Sequence, residues 1–162
     1  MAYYSIDPRI DIRKTIGYTL DYNNDNIDES IISVNDSYGD PVNIPLLLPE
    51  ETRMGKVYPM PYIEMLLVTS PGRVHNVQGD VREQKAYIDF HIWYTNMDNI
   101  SGCTFGKAVA DKIIDLVMVH RHSVPSIYWM EVLNDGRELI DSETDNQIIF
   151  HRILEVYCTN WG

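Results

Sequence analysis

Asp89, His91, His151 and Glu155 are the side chains of this sequence whose types and spacing come nearest to a chemical site. Asp89 and His91 are two residues apart and His151 and Glu155 four, so in extended chain each pair projects from one face of its segment. On neighbouring strands, two imidazoles and two carboxylates would converge into a set able to move protons or hold a divalent metal. The wet face of a half-buried sheet carries the same residues, and that plainer reading assigns no catalytic residue, no metal ligand and no cofactor. Other candidates are weaker. His120 and His122 are two apart near a helix end and point in different directions, and Cys103 sits near a helix start, where a thiolate is favoured, but fits equally as a small buried residue. The chain has no Gly-rich phosphate loop, Cys-x-x-Cys, His-Glu-x-x-His or Gly-x-Ser-x-Gly. The expectation is a protein that is not an enzyme.

The elements that would position these residues are legible in the second half. Ala86, Ile88, Phe90, Ile92 and Tyr94 alternate with Tyr87, Asp89, His91, Trp93 and Thr95, the pattern of a half-buried strand. Phe105, Val109, Ile113 and Val117 then mark one face of a helix over 104–120. Residues 126–133 and 147–159 read as strands, with Asn134-Asp135-Gly136 as the turn that reverses the chain. The order is β-α-β-β.

The first half is less regular. Asp7-Pro8 is a helix start, because Asp accepts from free N–H groups and Pro has no donor to lose. Ile12, Ile16 and Leu20 extend that helix over 8–21; Gly17 marks either a close contact or an ordinary tolerated glycine. Residues 30–34 and 62–69 are short strands. Between them, Pro41, Pro45, Pro49, Pro59 and Pro61 remove so many backbone donors that 35–61 is expected to be an irregular arm or long loop, not a central strand. Within it Ile44, Leu46, Leu47 and Leu48 form an apolar segment that either caps the chain's own core or docks on a neighbouring subunit. Arg73, His75 and Arg82 make the loop after Ser70-Pro71-Gly72 the least acidic surface segment and a second candidate contact.

These elements predict an α/β protein of the α+β kind. A mostly antiparallel sheet is covered on one face by the long helix, with an N-terminal helix and the proline-rich arm, in a single domain over 1–162. That length buries enough surface to fold without staples. Two cysteines suggest a reducing compartment, the first residues lack a signal peptide's pattern, and no apolar run is long enough to cross a bilayer. With 24 acidic against 13 basic residues the net charge is −11, which opposes a phosphate backbone and argues against sequence-specific nucleic-acid binding. The acid concentrates in 21–29 and 131–145, both read as solvated loops.

The helix 8–21, the strand 86–94, the helix 105–119, the segment 128–137 and the closing strand 149–157 follow one another in an order that resembles the tail terminator, or tail-completion, proteins of long-tailed phages and related viruses. The match covers about two thirds of the chain and rests on element order and hydrophobic pattern. It implies a virion structural protein, assembled in the host cytoplasm, that forms a ring, usually six-fold, at the head-proximal end of the tail tube. Such a ring terminates polymerisation and offers an interface to the head. The implied partners are further copies of the chain, the tail tube protein and a head-completion or neck protein, with DNA passing through the ring. Another head-tail connector or neck component is the near alternative, and a small acid-base or metal-dependent enzyme at Asp89, His91, His151 and Glu155 the distant one.

Overall fold

The computed structural model describes residues 7–50, 59–69, 73–74, 82–97, 99–100, 102–125, 127–143 and 147–161. In chain order the elements are α1 (Pro8–Ile16), β1 (Tyr18–Leu20), β2 (Glu29–Asn35), β3 (Pro41–Leu47), β4 (Tyr62–Thr69), β5 (Arg73–Val74), β6 (Arg82–Thr95), α2 (Gly102–His120), β7 (Ile127–Glu143) and β8 (Ile148–Trp161). One eight-stranded sheet results, ordered β1-β2-β3-β4-β6-β8-β7, with β5 pairing β6 off that path. Every pairing is antiparallel except β3 with β4. This is an α+β fold with a mostly antiparallel sheet and, among the described residues, two helices, one short and one long.

Alternation in β6 decides which side chains go inward. Ala86, Ile88, Phe90, Ile92 and Tyr94 are at most 1% exposed, while the residues between them are half-buried up to Trp93. Register carries the inward stripe across the sheet. Met65 and Leu154 flank Phe90, and Leu67 and Val156 flank Ile88. Phe105, Val109, Ala110, Ile113 and Val117 of α2 join the same buried cluster, and the helix packs with β2, β6, β7, β8 and α1. Gly106 permits one close approach: a β-carbon there would lie 2.1 Å from the Tyr94 hydroxyl. That hydroxyl donates to Glu138 Oε2 of β7, and the Tyr94 ring stacks on Phe150 at 5.3 Å. Helix, central strand and edge strand are thereby tied through one tyrosine.

Three expectations are corrected. The N-terminal helix ends at Ile16, not Asp21: Gly17 closes the last helical bond to Arg13 O and then turns extended (φ −100°, ψ 166°), and a β-carbon there would come within 3.1 Å of the Ile31 carbonyl of β2. Gly17 is thus a close-packing position, and Tyr18–Leu20 pairs with β2 instead of continuing the helix. The start was read correctly: Asp7 accepts from Arg9 N–H at 3.0 Å and Pro8 opens the helix. Arg9, itself buried, grips the Asp7 carboxylate and donates from Nη1 to the Met65 carbonyl at 2.9 Å, which fixes α1 on β4.

Second, β3 lies inside the sheet between β2 and β4, although 41–47 falls in the proline-rich stretch from which a central strand was excluded. Pro45 is tolerated because it faces Ile31 in the β2 ladder while the parallel ladder to β4 begins only at Leu46, so its nitrogen is not needed as a donor on that side. Third, Asn134-Asp135-Gly136 does not reverse the chain. β7 runs through it to Glu143, with register shifts between Val132 and Asn134 and between Asp135 and Glu138. Bulges absorb the turn-forming residues, the reversal falls between Glu143 and Ile148, and most of the acidic stretch 131–145 is an edge strand and not a loop. The acidic stretch at 21–28 does lie outside helix and strand.

Ile113→Asp would bury a carboxylate among apolar neighbours. It should cost several kcal/mol, a large part of the roughly 5–15 kcal/mol of an ordinary domain. Gly106→Ala is expected to displace Tyr94 and cost about 1–3 kcal/mol of overpacking, offset by about 1 kcal/mol of helix propensity. Denaturant midpoints measure both. A parent-like midpoint for Ile113→Asp would mean that this helix face is not core.

Candidate functional site

The four residues singled out by type and spacing do come together, and register is the reason. β6 and β8 pair over thirteen positions, from Glu83↔Trp161 to Thr95↔Ile149. The face of the sheet opposite the Phe90 stripe is therefore a grid. One row reads Leu66, Asp89, Glu155, Asn134; the next Glu64, His91, Ile153; the next Tyr62, Trp93, His151, Leu139. Asp89 stands directly opposite Glu155. His91 and His151 are diagonal neighbours.

That diagonal brings the two imidazoles into contact. His91 Nδ1 and His151 Nε2 are 2.7 Å apart, and the ring centroids 4.8 Å. His151 also lies flat on Trp93, with centroids 3.9 Å apart and planes within 8°. The indole Nε1–H of Trp93 is buried and finds no acceptor among the described residues. Burial lowers the pKa of His91 below the ordinary 6.5, against the pull of Asp89 and Glu64. His151 is lowered by burial and then by His91, against Asp141 and Glu64. Both rings are accordingly neutral at neutral pH, one donating N–H and the other accepting. Sequence reasoning missed Trp93 and Glu64. Trp93 was readable, being two residues beyond His91 on the same face, whereas Glu64 needed the β4–β6 register.

Chemically this is a proton-sharing pair more than a metal centre. Two imidazole nitrogens on one tetrahedral zinc keep about 3.3 Å between them, given Zn–N bonds of about 2.0–2.1 Å, and a third donor is required. Among the described residues, the one group of three or more candidate ligands within mutual reach is Asp21, Asp25 and Glu29. Those carboxylates are already engaged in shaping their loop: Asp21 accepts from Asp25 and Asn26 N–H, and Glu29 from Tyr22 N–H. Surface cavities by the first turns of α2 are lined by residues such as Asp36, Asn99, Thr104 and Lys107, not by the histidines. Cys158 is buried, which pushes its thiol up to about 12 and leaves it unreactive. The Cys103 side chain lies outside the described residues.

Of the residues expected at an interface, Ile44, Leu46 and Leu47 are 0% exposed within the chain itself, and Ile44 and Leu46 belong to the main core cluster. Leu48 packs against that cluster and stays partly exposed. Arg73 and Arg82 belong to the paired strands β5 and β6, with Val74 opposite Arg82; their side chains and the whole of His75 lie outside the described residues. Compared with known proteins, the chain matches no family model and no curated protein.

Purified protein should hold zinc or manganese at well below one ion per chain, as measured by elemental mass spectrometry. One equivalent of metal, lost when His91 and His151 are both replaced by alanine, would instead favour a metal-dependent enzyme.

Proposed function

We propose that this protein is a structural subunit of a viral tail, which forms a ring at the end of the tail tube, terminates its polymerisation and offers a surface for head or neck attachment. The observation that carries this reading is the element order: an N-terminal helix, antiparallel strands, one long helix and two closing strands in a single sheet. In this reading α2 is the cover of the Phe90 face. A net charge of −11 supports it, because a ring through which DNA passes must not grip the phosphates. No helix among the described residues is long and apolar enough to cross a membrane.

The ring, which we take to be a hexamer, needs a repeated head-to-tail contact. With Ile44, Leu46 and Leu47 in the core, we assign that contact to the edge strand β7 of one subunit and the Arg73–His75–Arg82 segment of the next. β7 exposes Leu133, Leu139 and Ile140 together with the acidic Asp141 and Glu143, which suits a partner segment carrying net positive charge. Leu48 remains available at the rim. The tube protein and a head-completion or neck protein would meet the two ends of the ring, at the head-proximal end of the virion tail.

Arg73→Glu with Arg82→Glu should convert the ring to monomers that still unfold in one cooperative transition. Light scattering and electron microscopy with purified tail tubes measure the assembly. A wild-type chain that stays monomeric at high concentration and also fails to bind tubes would overturn the proposal.

A further inference from the structure

We propose that His91 and His151 form an acid-sensitive latch between β6 and β8, closed by the hydrogen bond between their rings while at most one ring is charged and opened when both are. The contact uses Nδ1 of His91 and Nε2 of His151, 2.7 Å apart, and leaves the other nitrogen of each ring outside it. Only one proton occupies that line. In the neutral pair one ring donates its N–H to the lone pair of the other.

A first added proton goes to the outer nitrogen of the donor ring, and the N–H···N bond survives as a charge-assisted one. A second must go to the accepting nitrogen itself. Two N–H groups would then meet head on, between like charges whose ring centroids are 4.8 Å apart. Contact and second proton exclude one another, so the two rings titrate as a coupled unit.

The charged groups that face the pair among the described residues are Glu64 from β4, Asp89 on β6 and Asp141 from β7, with Glu155 of β8 opposite Asp89. All are carboxylates, and with the Trp93 ring face against His151 they favour a cation here. They assist the first proton without removing the clash that the second creates. Burial still holds both histidines below 6.5 in the folded chain, and the charge of His91 lowers His151 further. A lowered folded-state value means that the unfolded chain binds these protons more readily. The stabilisation is therefore complete above pH 6.5 and is lost as the pH falls through the folded-state values. Thirteen register pairs keep the two backbones together, so opening parts the two rings without separating the strands and leaves a charged His151 beside Trp93.

Imidazole nitrogen NMR of the wild-type protein from about pH 8 to about pH 4 tests this directly. The two rings should titrate in two steps at least about one pH unit apart. The Trp93 indole resonance should move with the lower step. In His91→Gln and in His151→Gln the remaining ring should titrate once, above the lower wild-type step. A single wild-type step shared by both rings at the midpoint of the single variants would overturn the latch, and so would a Trp93 resonance indifferent to the lower step; the wild-type titration stands even if a variant fails to fold.

Discussion

The two-residue period of β6, held between β4 on one side and β8 on the other, is the constraint on which the rest of the molecule depends. With eight register pairs to β4 and thirteen to β8, a slip of one residue would turn Phe90, Ile92 and Tyr94 out of the core and drive Asp89, His91 and Trp93 into it. The buried stripe makes that slip prohibitive. It therefore fixes the polar row on the other face as firmly as the apolar row on its own, and the contact between His91 and His151 is a geometric consequence of core packing.

The same constraint explains how an acidic chain keeps a long edge strand. β7 carries Glu131, Asp135, Glu138, Asp141 and Glu143, and charge along an edge opposes pairing with a second edge of the same kind. Two of these carboxylates are turned to internal use. Asp135 pairs with Arg152 of β8 at 3.1 Å, and Glu138 accepts from Tyr94. Because Tyr94 reaches Glu138 only past Gly106, the edge strand is anchored through the core and not by its backbone ladder alone, which is broken by register shifts along its length.

What could be read beforehand was what a single period dictates. The inward row of β6, the buried face of α2, the capped start of α1 and the strand at 62–69 all follow from local alternation or spacing. The failures share a different physics. Pro45 inside β3 is acceptable only because its neighbouring ladder starts one residue later, and no local rule contains that fact. Asn134-Asp135-Gly136 has turn chemistry, but β8 supplies a partner long enough for bulges to be cheaper than reversal. Gly17 takes extended backbone angles where the chain leaves α1 to pair with β2, and Ile31 of β2 lies close against it, a long-range contact. The candidate site divides the same way: its residue types and faces were visible, whereas the opposition of Asp89 to Glu155 and the diagonal of the histidines required the register.

That register also says which surface suits a partner. Asp89 and Glu155 face each other on the half-buried side of the sheet, with Glu64 one row away. A dry contact laid over this grid would strip water from the like charges of Asp89, Glu155 and Glu64, a desolvation cost that opposes what the neighbouring Tyr62, Leu66 and Ile153 gain by further burial. Two partners escape that penalty: one that brings its own cations, or one that approaches along the edge. The exposed Leu133, Leu139 and Ile140 lie on the edge strand, so a subunit contact there adds apolar burial while leaving the carboxylate grid in water. Shape and electrostatics thus divide the molecule between an edge suited to assembly and a face whose charge state follows its two histidines.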